Sequence, residues 1–230
     1  MSALPALRIA GLSKRYGSLL ALRDASLSIK AGEFVAVLGP SGSGKSTLFR
    51  CITRLTPPDA GQIFIADHSL HDLKGRALGK ARREIGVVFQ QFNLIRRRTA
   101  LQNVLAGRLG TAPLWRVGTG LFSKSDILLA SNALDAVGLS DQRHQRADTL
   151  SGGQQQRVAI ARALAQESRI LLADEPVASL DPETAASVLS LMQTLARTKG
   201  LAVLCTLHQP QYAQTYADRT VHMREGRLLA

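Results

Sequence analysis

Aromatic residues and long apolar runs are scarce in this sequence. Aromatic side chains make up 4% of the 230 residues, whereas apolar residues together make up 45%, so the core must be mainly aliphatic. A chain of this length buries roughly 70–75% of its unfolded surface, enough for one compact domain with an attached subdomain. No apolar run approaches the ~18 residues of a membrane-spanning helix, and the N-terminal segment lacks the apolar region of a secretory signal. Any membrane role is therefore expected to come through a partner.

Cysteine is also rare. Cys51 and Cys205 lie far apart, each in an apolar stretch. This pattern argues against a disulfide framework and favours two buried thiols in a reducing cytoplasm.

Acidic residues are too few to balance the basic ones. The 29 lysines and arginines exceed the 17 aspartates and glutamates, which gives a net charge of +12. Such a charge can attract nucleic acid, favour an anionic membrane face or only keep the protein in solution. Its local clusters, at 80–83 and 96–98, contain no aromatic residue, which argues against a platform that stacks single-stranded bases.

Strand-like and helix-like patterns alternate along most of the chain. Apolar and alternating segments predict strands around Leu7 and Ile9 and at 26–29, 33–38, 62–66, 85–89, 170–173, 201–207, 219–223 and 227–229. Apolar residues at helical spacing predict helices at 45–55, 99–106, 125–137, 152–165, 182–198 and 211–216. This alternation predicts a parallel sheet covered by helices. Segment 87–165 is mainly helical, and we predict that it forms a subdomain inserted into a core made of 1–86 and 166–230.

A glycine-rich loop lies between the predicted strand 33–38 and the predicted helix 45–55. It matches the phosphate-binding pattern G-x-x-x-x-G-K-[ST] and consists of Gly39, Pro40, Ser41, Gly42, Ser43, Gly44, Lys45 and Ser46. Its glycines let backbone N–H groups point at phosphate oxygens, next to the positive end of the helix. We expect Lys45 to reach the β- and γ-phosphates, Ser46 to bind Mg²⁺ and Thr47 to add a phosphate contact. This motif predicts a nucleoside triphosphate site but does not separate kinases, GTPases and motors.

Two carboxylates follow the apolar strand 170–173. Asp174 and Glu175 are thereby placed at the carboxyl end of a strand, where ligands bind in open α/β sheets. Asp174 is expected to hold Mg²⁺, and Glu175 to accept a proton from the attacking water or to position it. A solvated acidic turn is the alternative, and the phosphate-binding loop elsewhere in the chain argues against it.

A second anion-binding pattern opens the predicted helix 152–165. It reads Leu-Ser-Gly-Gly-Gln over 150–154, and serine and glycine at a helix start offer a hydroxyl and free N–H groups to an anion. One phosphate-binding loop already suffices for one nucleotide. The chain resembles the ABC ATPase family, whose signature is this LSGGQ sequence. Further residues match that family's pattern in order: Tyr16, Gln90, the 179–182 segment Ser-Leu-Asp-Pro and His208.

The resemblance implies an α/β P-loop NTPase core with a mainly parallel sheet, an N-terminal antiparallel β subdomain and an inserted helical signature subdomain. It also implies a homodimer in which ATP and Mg²⁺ lie between the loop of one copy and the signature of the other. In that arrangement Glu175, His208 and Lys45 are the catalytic residues, and Ser46, Gln90 and Asp174 hold the metal. The ATP-binding set adds Tyr16, which stacks on adenine, Asp181, which couples the two sites, and the signature residues Ser151, Gly152, Gly153 and Gln154.

Within this family the chain is most similar to the ATPase subunits of phosphonate importers. The cues are the segments 92–95 and 101–110, the loop around Trp115 and the 173–182 segment Ala-Asp-Glu-Pro-Val-Ala-Ser-Leu-Asp-Pro. The similarity implies a peripheral subunit on the cytoplasmic face of the inner membrane. It would work with separate permease subunits, which we expect to dock at 91–110, and indirectly with a solute-binding protein. Phosphite, other oxyanions and polar amino acids remain alternative cargoes.

A non-transport ABC ATPase that acts on nucleic acid or ribosomes is the rival class. The net charge of +12 favours it. A single ATPase unit and the lack of long coiled-coil heptads argue against it, so we expect no nucleic-acid partner.

Overall fold

The computed structural model describes residues 4–111 and 121–229, so the predicted loop around Trp115 lies outside the described residues. The strands are β1 (Leu7–Tyr16), β2 (Leu19–Ile29), β3 (Phe34–Leu38), β4 (Ala60–Ile65), β5 (His68–Ser69), β6 (Ile85–Phe89), β7 (Ile170–Asp174), β8 (Ala202–Leu207), β9 (Arg219–Arg224) and β10 (Arg227–Leu229). The α-helices are α1 (Lys45–Ile52), α2 (Gly75–Arg82), α3 (Ala100–Leu105), α4 (Lys124–Ala136), α5 (Gly152–Ala165), α6 (Pro182–Lys199) and α7 (Pro210–Tyr216). Short 3₁₀ turns occupy Ala106–Arg108 and Ala147–Thr149.

The strands form two sheets. The smaller sheet is antiparallel and has the order β2-β1-β4-β5. The larger sheet has the order β10-β9-β3-β8-β7-β6, in which β10 alone is antiparallel to its neighbour. The predicted α/β class with a mainly parallel sheet and an N-terminal antiparallel β portion is confirmed.

The parallel sheet is buried on both faces, as its sequence indicates. All five residues of β3, Phe-Val-Ala-Val-Leu, are buried, and such continuous apolar strands are typical of parallel sheets covered by helices. Two aliphatic clusters lie on opposite sides of this sheet. Phe34 and Ala36 belong to one cluster, and Val35 and Val37 belong to the other.

The sheet register brings three strand ends to one edge. Leu38 at the end of β3 pairs with Leu207 of β8, and Asp174 at the end of β7 pairs with Thr206 of β8. Because β3, β7 and β8 run parallel and side by side, the segments that follow them leave the sheet together. This register decides which distant residues can form one site.

The segment between β6 and β7 contains helices α3, α4 and α5, which pack on one another around the first aliphatic cluster. Thr99, Ser123 and Ser151 cap these helices, and each forms a reciprocal capping box with the residue three positions later. These caps explain why the predicted starts of the helices lie within a residue of the observed ones.

Some predicted elements needed correction. Helix α1 ends at Ile52 and not at residue 55, because Arg54 takes a left-handed backbone conformation with φ 57°. Strand β5 and helix α2 were not predicted. Helix α2 contains Gly75 and Gly79 and buries only Ala81, so it lacks an apolar periodicity.

Both cysteines are buried and free, as predicted. Burial raises the pKa of the Cys51 thiol to about 11 and raises the pKa of Cys205 as well. Among the described helices, none has the length and apolar character needed to cross a membrane.

Candidate functional site

The glycine-rich loop leaves β3 and ends in α1, as the sequence predicts. Lys45, the first residue of α1, is only 5% exposed. Its Nζ donates hydrogen bonds to the carbonyl oxygens of Gly39 at 2.7 Å and Pro40 at 3.1 Å. The ammonium group is thereby held inside the curl of the loop, next to the N-terminus of α1. A phosphate placed in the loop would meet this cation together with the positive end of the helix dipole.

Two glycines of the loop are required by the structure. Gly44 caps α1 with φ 111°, and a Cβ there would lie 2.5 Å from the Ala21 carbonyl oxygen. A Cβ on Gly39 would overlap the carbonyl of Met223. The loop is therefore packed tightly between β2 and β9, and larger residues at these two positions would displace its backbone.

The acidic pair lies at the end of β7 and is held by a residue that sequence reasoning missed. Thr206, fully buried in β8, donates a hydrogen bond from Oγ1 to Asp174 Oδ1 at 2.9 Å. The same oxygen accepts the backbone N–H of Glu175 at 2.8 Å. Thr206 therefore orients both acidic residues. Its polar side chain in the otherwise apolar run Ala-Val-Leu-Cys-Thr-Leu was the signal that could have identified it.

Glu175 and His208 are in direct contact. His208 Nε2 lies 2.6 Å from Glu175 Oε1, and the two side chains are 43% and 24% exposed respectively. Glu175 has a left-handed backbone conformation, with φ 50°, which is uncommon for a non-glycine residue and is often found at functional sites. Residues predicted from separate motifs are thus brought together at the same sheet edge.

Gln90 follows the end of β6 and faces the same edge. It is exposed, and it lines a groove together with Ser46, Asp174 and Glu175. A hydroxyl, an amide and a carboxylate are hard oxygen donors, which suit Mg²⁺ completed by phosphate oxygens and water. The residues predicted to hold the metal therefore fit that ion.

A second, neighbouring groove extends from the loop towards Tyr16. Ser41, Gly42, Lys45 and Thr47 line this groove, and Tyr16 lines it at the other end. The Tyr16 ring is 42% exposed, and Lys14 Nζ lies 5.6 Å from its centroid. An ion pair with Asp59 at 2.7 Å holds Lys14 there. The groove is therefore lined both by the phosphate loop and by an exposed aromatic residue.

The LSGGQ residues are located elsewhere on the molecule. Ser151, Gly153 and Gln154 line a separate depression, which they share with Thr184 of α6. Ser151 Oγ accepts the backbone N–H of Gln154, and Gln154 Oε1 accepts the backbone N–H of Ser151. In the part of the chain that the structure describes, the signature and the phosphate loop therefore line two different grooves.

The start of α6 packs directly on the signature. A Cβ on Gly153 would overlap Cγ2 of Thr184, and one on Gly152 would lie 3.1 Å from Cδ2 of Leu180. Asp181 caps α6 by accepting the backbone N–H of Thr184 at 3.0 Å, and hydrogen bonding by Thr184 lowers the pKa of the Asp181 carboxyl. Gly153 is therefore a site of close contact with α6, and Gly152 contacts the segment that precedes this helix.

Comparison with known proteins identifies the family of the chain. The family model described as ABC transporter matches residues 22–178. The chain belongs to the ABC transporter family. This match includes the phosphate loop, the signature and the acidic pair.

Several relatives of this ABC protein are ATP-binding proteins of importers. A hypophosphite import ATP-binding protein of Stutzerimonas stutzeri is 48% identical over 97% of the chain, which spans 66% of that protein. A phosphonates import ATP-binding protein of Halalkalibacterium halodurans is 45% identical over 97% of the chain and 92% of its own length. Another, from Rhodopseudomonas palustris, is 49% identical over 97% of the chain and 80% of its own length.

Solved ABC cassettes share the fold. A dimeric post-hydrolysis state of the cassette MJ0796 bound to ADP and Pi has a TM-score of 0.81 and 36% identity, covering 96% of both chains. The ADP conformation of the cassette MJ1267 has a TM-score of 0.87 and 28% identity, covering 99% of this chain and 91% of that one. The ABC protein described here therefore has the ATP-binding cassette fold over almost its whole length.

Proposed function

We propose that this chain is the ATP-hydrolysing subunit of an ABC importer for phosphonates, and that it drives uptake through separate permease subunits. The observation that carries the proposal is the convergence of four separate segments at one sheet edge. The phosphate loop, the acidic pair, Gln90 and His208 all meet there, at the carboxyl ends of parallel strands.

ATP binds along the two neighbouring grooves. Its adenine stacks on Tyr16, and its phosphates enter the loop formed by Gly39, Pro40, Ser41, Gly42, Ser43 and Gly44, with Lys45, Ser46 and Thr47 at the start of α1. Lys45 stabilises the charge on the β- and γ-phosphates. Ser46, Gln90 and Asp174 hold Mg²⁺, which neutralises phosphate charge when bound. The exposed face of Tyr16 and the buried cation of Lys45 support this orientation.

Glu175 is the base for the attacking water. In the structure its Oε1 lies 2.6 Å from His208 Nε2, so this histidine competes with the attacking water for one lone pair of the carboxylate. His208 then contacts the γ-phosphate, which offers its Nε2 a new partner. A bound nucleotide thereby removes one competitor of the attacking water.

The complete site is made by two copies of the chain. The signature of one chain lies in a depression away from its own phosphate loop, so it is free to face the loop of a second copy. Ser151 and Gly153 then contact the γ-phosphate from the opposite side, and Gly152 and Gln154 complete the ATP-binding set. Asp181 couples the two sites across a two-fold interface. The dimeric MJ0796 cassette bound to ADP and Pi supports this arrangement.

Permease subunits dock on the segment 91–110, and the chain lies at the cytoplasmic face of the inner membrane. Ile95 is 58% exposed and is followed by three exposed arginines, Arg96, Arg97 and Arg98. These three cations would suit a position close to an anionic membrane surface.

The cargo assignment rests on the relatives, because the ATPase does not touch the cargo. Phosphonate import is named for most of the relatives compared, and hypophosphite import for one at 48% identity. Phosphonate is therefore the cargo we propose, with hypophosphite, phosphite and polar amino acids as the alternatives.

The test is a chromosomal Glu175→Gln replacement in a strain without other phosphonate uptake. Growth is compared on methylphosphonate, hypophosphite and phosphate as sole phosphorus sources. Loss of growth on methylphosphonate alone supports both the catalytic role and the cargo. Loss of growth on hypophosphite alone would support the ATPase role but identify hypophosphite as the cargo. Unchanged growth on every source would refute the cargo assignment.

A further inference from the structure

The turn that follows Gln90 has an unusual backbone. Phe92 has φ 57° and Asn93 has φ 49°, a left-handed region that non-glycine residues occupy in sequence only when neighbouring groups hold them. The Phe92 N–H donates to the Phe89 carbonyl oxygen at 3.1 Å, so Gln90 lies inside the turn, and the position of its side chain relative to Asp174 and Glu175 depends on the shape of the turn.

The guanidinium group of Arg162 holds this turn. Its Nη1 donates to the Asn93 carbonyl oxygen at 2.7 Å, and its Nη2 donates to the Phe92 carbonyl oxygen at 3.1 Å. Burial lowers the pKa of Arg162, and no carboxylate among the described residues offsets that burial. The two carbonyls of the left-handed turn therefore replace the hydration that the guanidinium has lost.

Arg162 belongs to α5, the helix that opens with the signature. It lies about three turns beyond Ser151. The same end of α5 packs closely on β6, since a Cβ on Gly86 would lie only 2.6 Å from Cβ of Ala163. Gln166 Nε2, just beyond the helix, donates to the carbonyl oxygen of Ile85 at 3.0 Å. The helix thus contacts the strand before Gln90 and, through Arg162, the turn after it.

We infer that Arg162 is a positioning residue that ties the Gln90 turn to the signature helix, so that Gln90 is aimed at the metal only while this helix is in place. The inference rests on the proposed function, because it assigns to Arg162 a role in the site formed by Gln90, Ser46 and Asp174. The planar guanidinium group presents two N–H donors side by side, which matches two consecutive carbonyl oxygens. The ammonium group of a lysine cannot reproduce this geometry. If α5 moves when the signature contacts the nucleotide of the partner subunit, the two hydrogen bonds of Arg162 would transmit that movement to the Gln90 turn.

The test uses the purified full chain and the variants Arg162→Met, Arg162→Lys, Gln90→Ala and Gln90→Ala/Arg162→Met. Hydrogen exchange of the peptide covering 89–95 is measured without nucleotide or metal, and ATPase rates are measured over a Mg²⁺ titration. We expect Arg162→Met to speed exchange in this peptide, to lower kcat about 2- to 30-fold and to raise the Mg²⁺ requirement. ATP binding in EDTA should stay within about twofold, and the double variant should be no slower than Gln90→Ala. Arg162→Lys should fall between wild type and Arg162→Met.

Arg82→Met is the matched control. Arg82 also donates a guanidinium fork to two consecutive carbonyls, those of Thr53 at 2.9 Å and Arg54 at 2.6 Å, but it does so away from the Gln90 turn. It should leave exchange in 89–95 and the Mg²⁺ requirement unchanged. Additive losses in the double variant, or unchanged exchange in Arg162→Met, would refute the positioning role while the proposed function stands. If Gln90→Ala and Glu175→Gln both hydrolyse ATP normally, the proposed function fails, and the role of Arg162 fails with it.

Discussion

Thr206→Val provides the sharpest test of how the acidic pair is held. Valine keeps the shape of threonine but removes the hydroxyl, which in the structure donates to the Asp174 carboxylate at 2.9 Å and accepts the Glu175 N–H at 2.8 Å. Thr206 is fully buried, so water cannot easily replace either bond.

The magnitude follows from these two bonds. A hydrogen bond to a charged group contributes about 1.5–3 kcal/mol, and a buried N–H left without a partner costs about 1–3 kcal/mol. Allowing for partial relaxation, we expect Thr206→Val to lower the free energy of unfolding by about 2–4 kcal/mol. We also expect turnover to fall by at least about tenfold, because Asp174 and Glu175 lose their common anchor.

The assay combines urea unfolding with ATPase rates at saturating Mg²⁺. Thr206→Ser is the matched control, since it keeps the hydroxyl and loses only a methyl group, and it should retain most of the turnover. A Thr206→Val protein with a free energy of unfolding within about 0.5 kcal/mol of wild type and with normal turnover would refute this account of the site.

Three further predictions concern the base, the signature and a buried thiol. Glu175→Gln should lower turnover about 10²–10⁴-fold, the scale for a general base, while light scattering shows an ATP-dependent dimer that persists; normal turnover would contradict the role. Gly153→Ala should cost about 1–3 kcal/mol in urea unfolding because its Cβ would overlap Cγ2 of Thr184, and adding Thr184→Ser should recover part of the loss; a loss that stays the same in the double variant would contradict the overlap. Because burial raises the pKa of Cys51 to about 11, its neutral thiol favours the folded state below the ordinary thiol pKa of about 8.5. That contribution to the free energy of unfolding should decline as the pH rises from there towards 11, and replacing Cys51 by Ala should flatten this decline measured by urea unfolding.

Local patterns were sufficient for most elements of this fold. The helix 152–165 was predicted at its observed bounds, because Ser151 and Gln154 form a capping box and apolar residues follow at helical spacing. The phosphate loop was equally easy to recognise, since its glycines and lysine all lie within the short segment 39–45. Helix α2 was missed because its two glycines and single buried residue carry no such pattern.

The sequence by itself determined which chemical groups the candidate site contains, because each motif carries its own residue types at short spacing: the loop with Lys45, the acidic pair and the signature. Only the tertiary structure decided how these motifs are arranged in space. The parallel register of β7 and β8 places Thr206 beside Asp174 and Glu175, and the packing of α5 on β6 brings Arg162 to the Gln90 turn. These contacts join residues that are 31 or more positions apart, and no periodic or local pattern in the chain shows which distant residues such packing brings together.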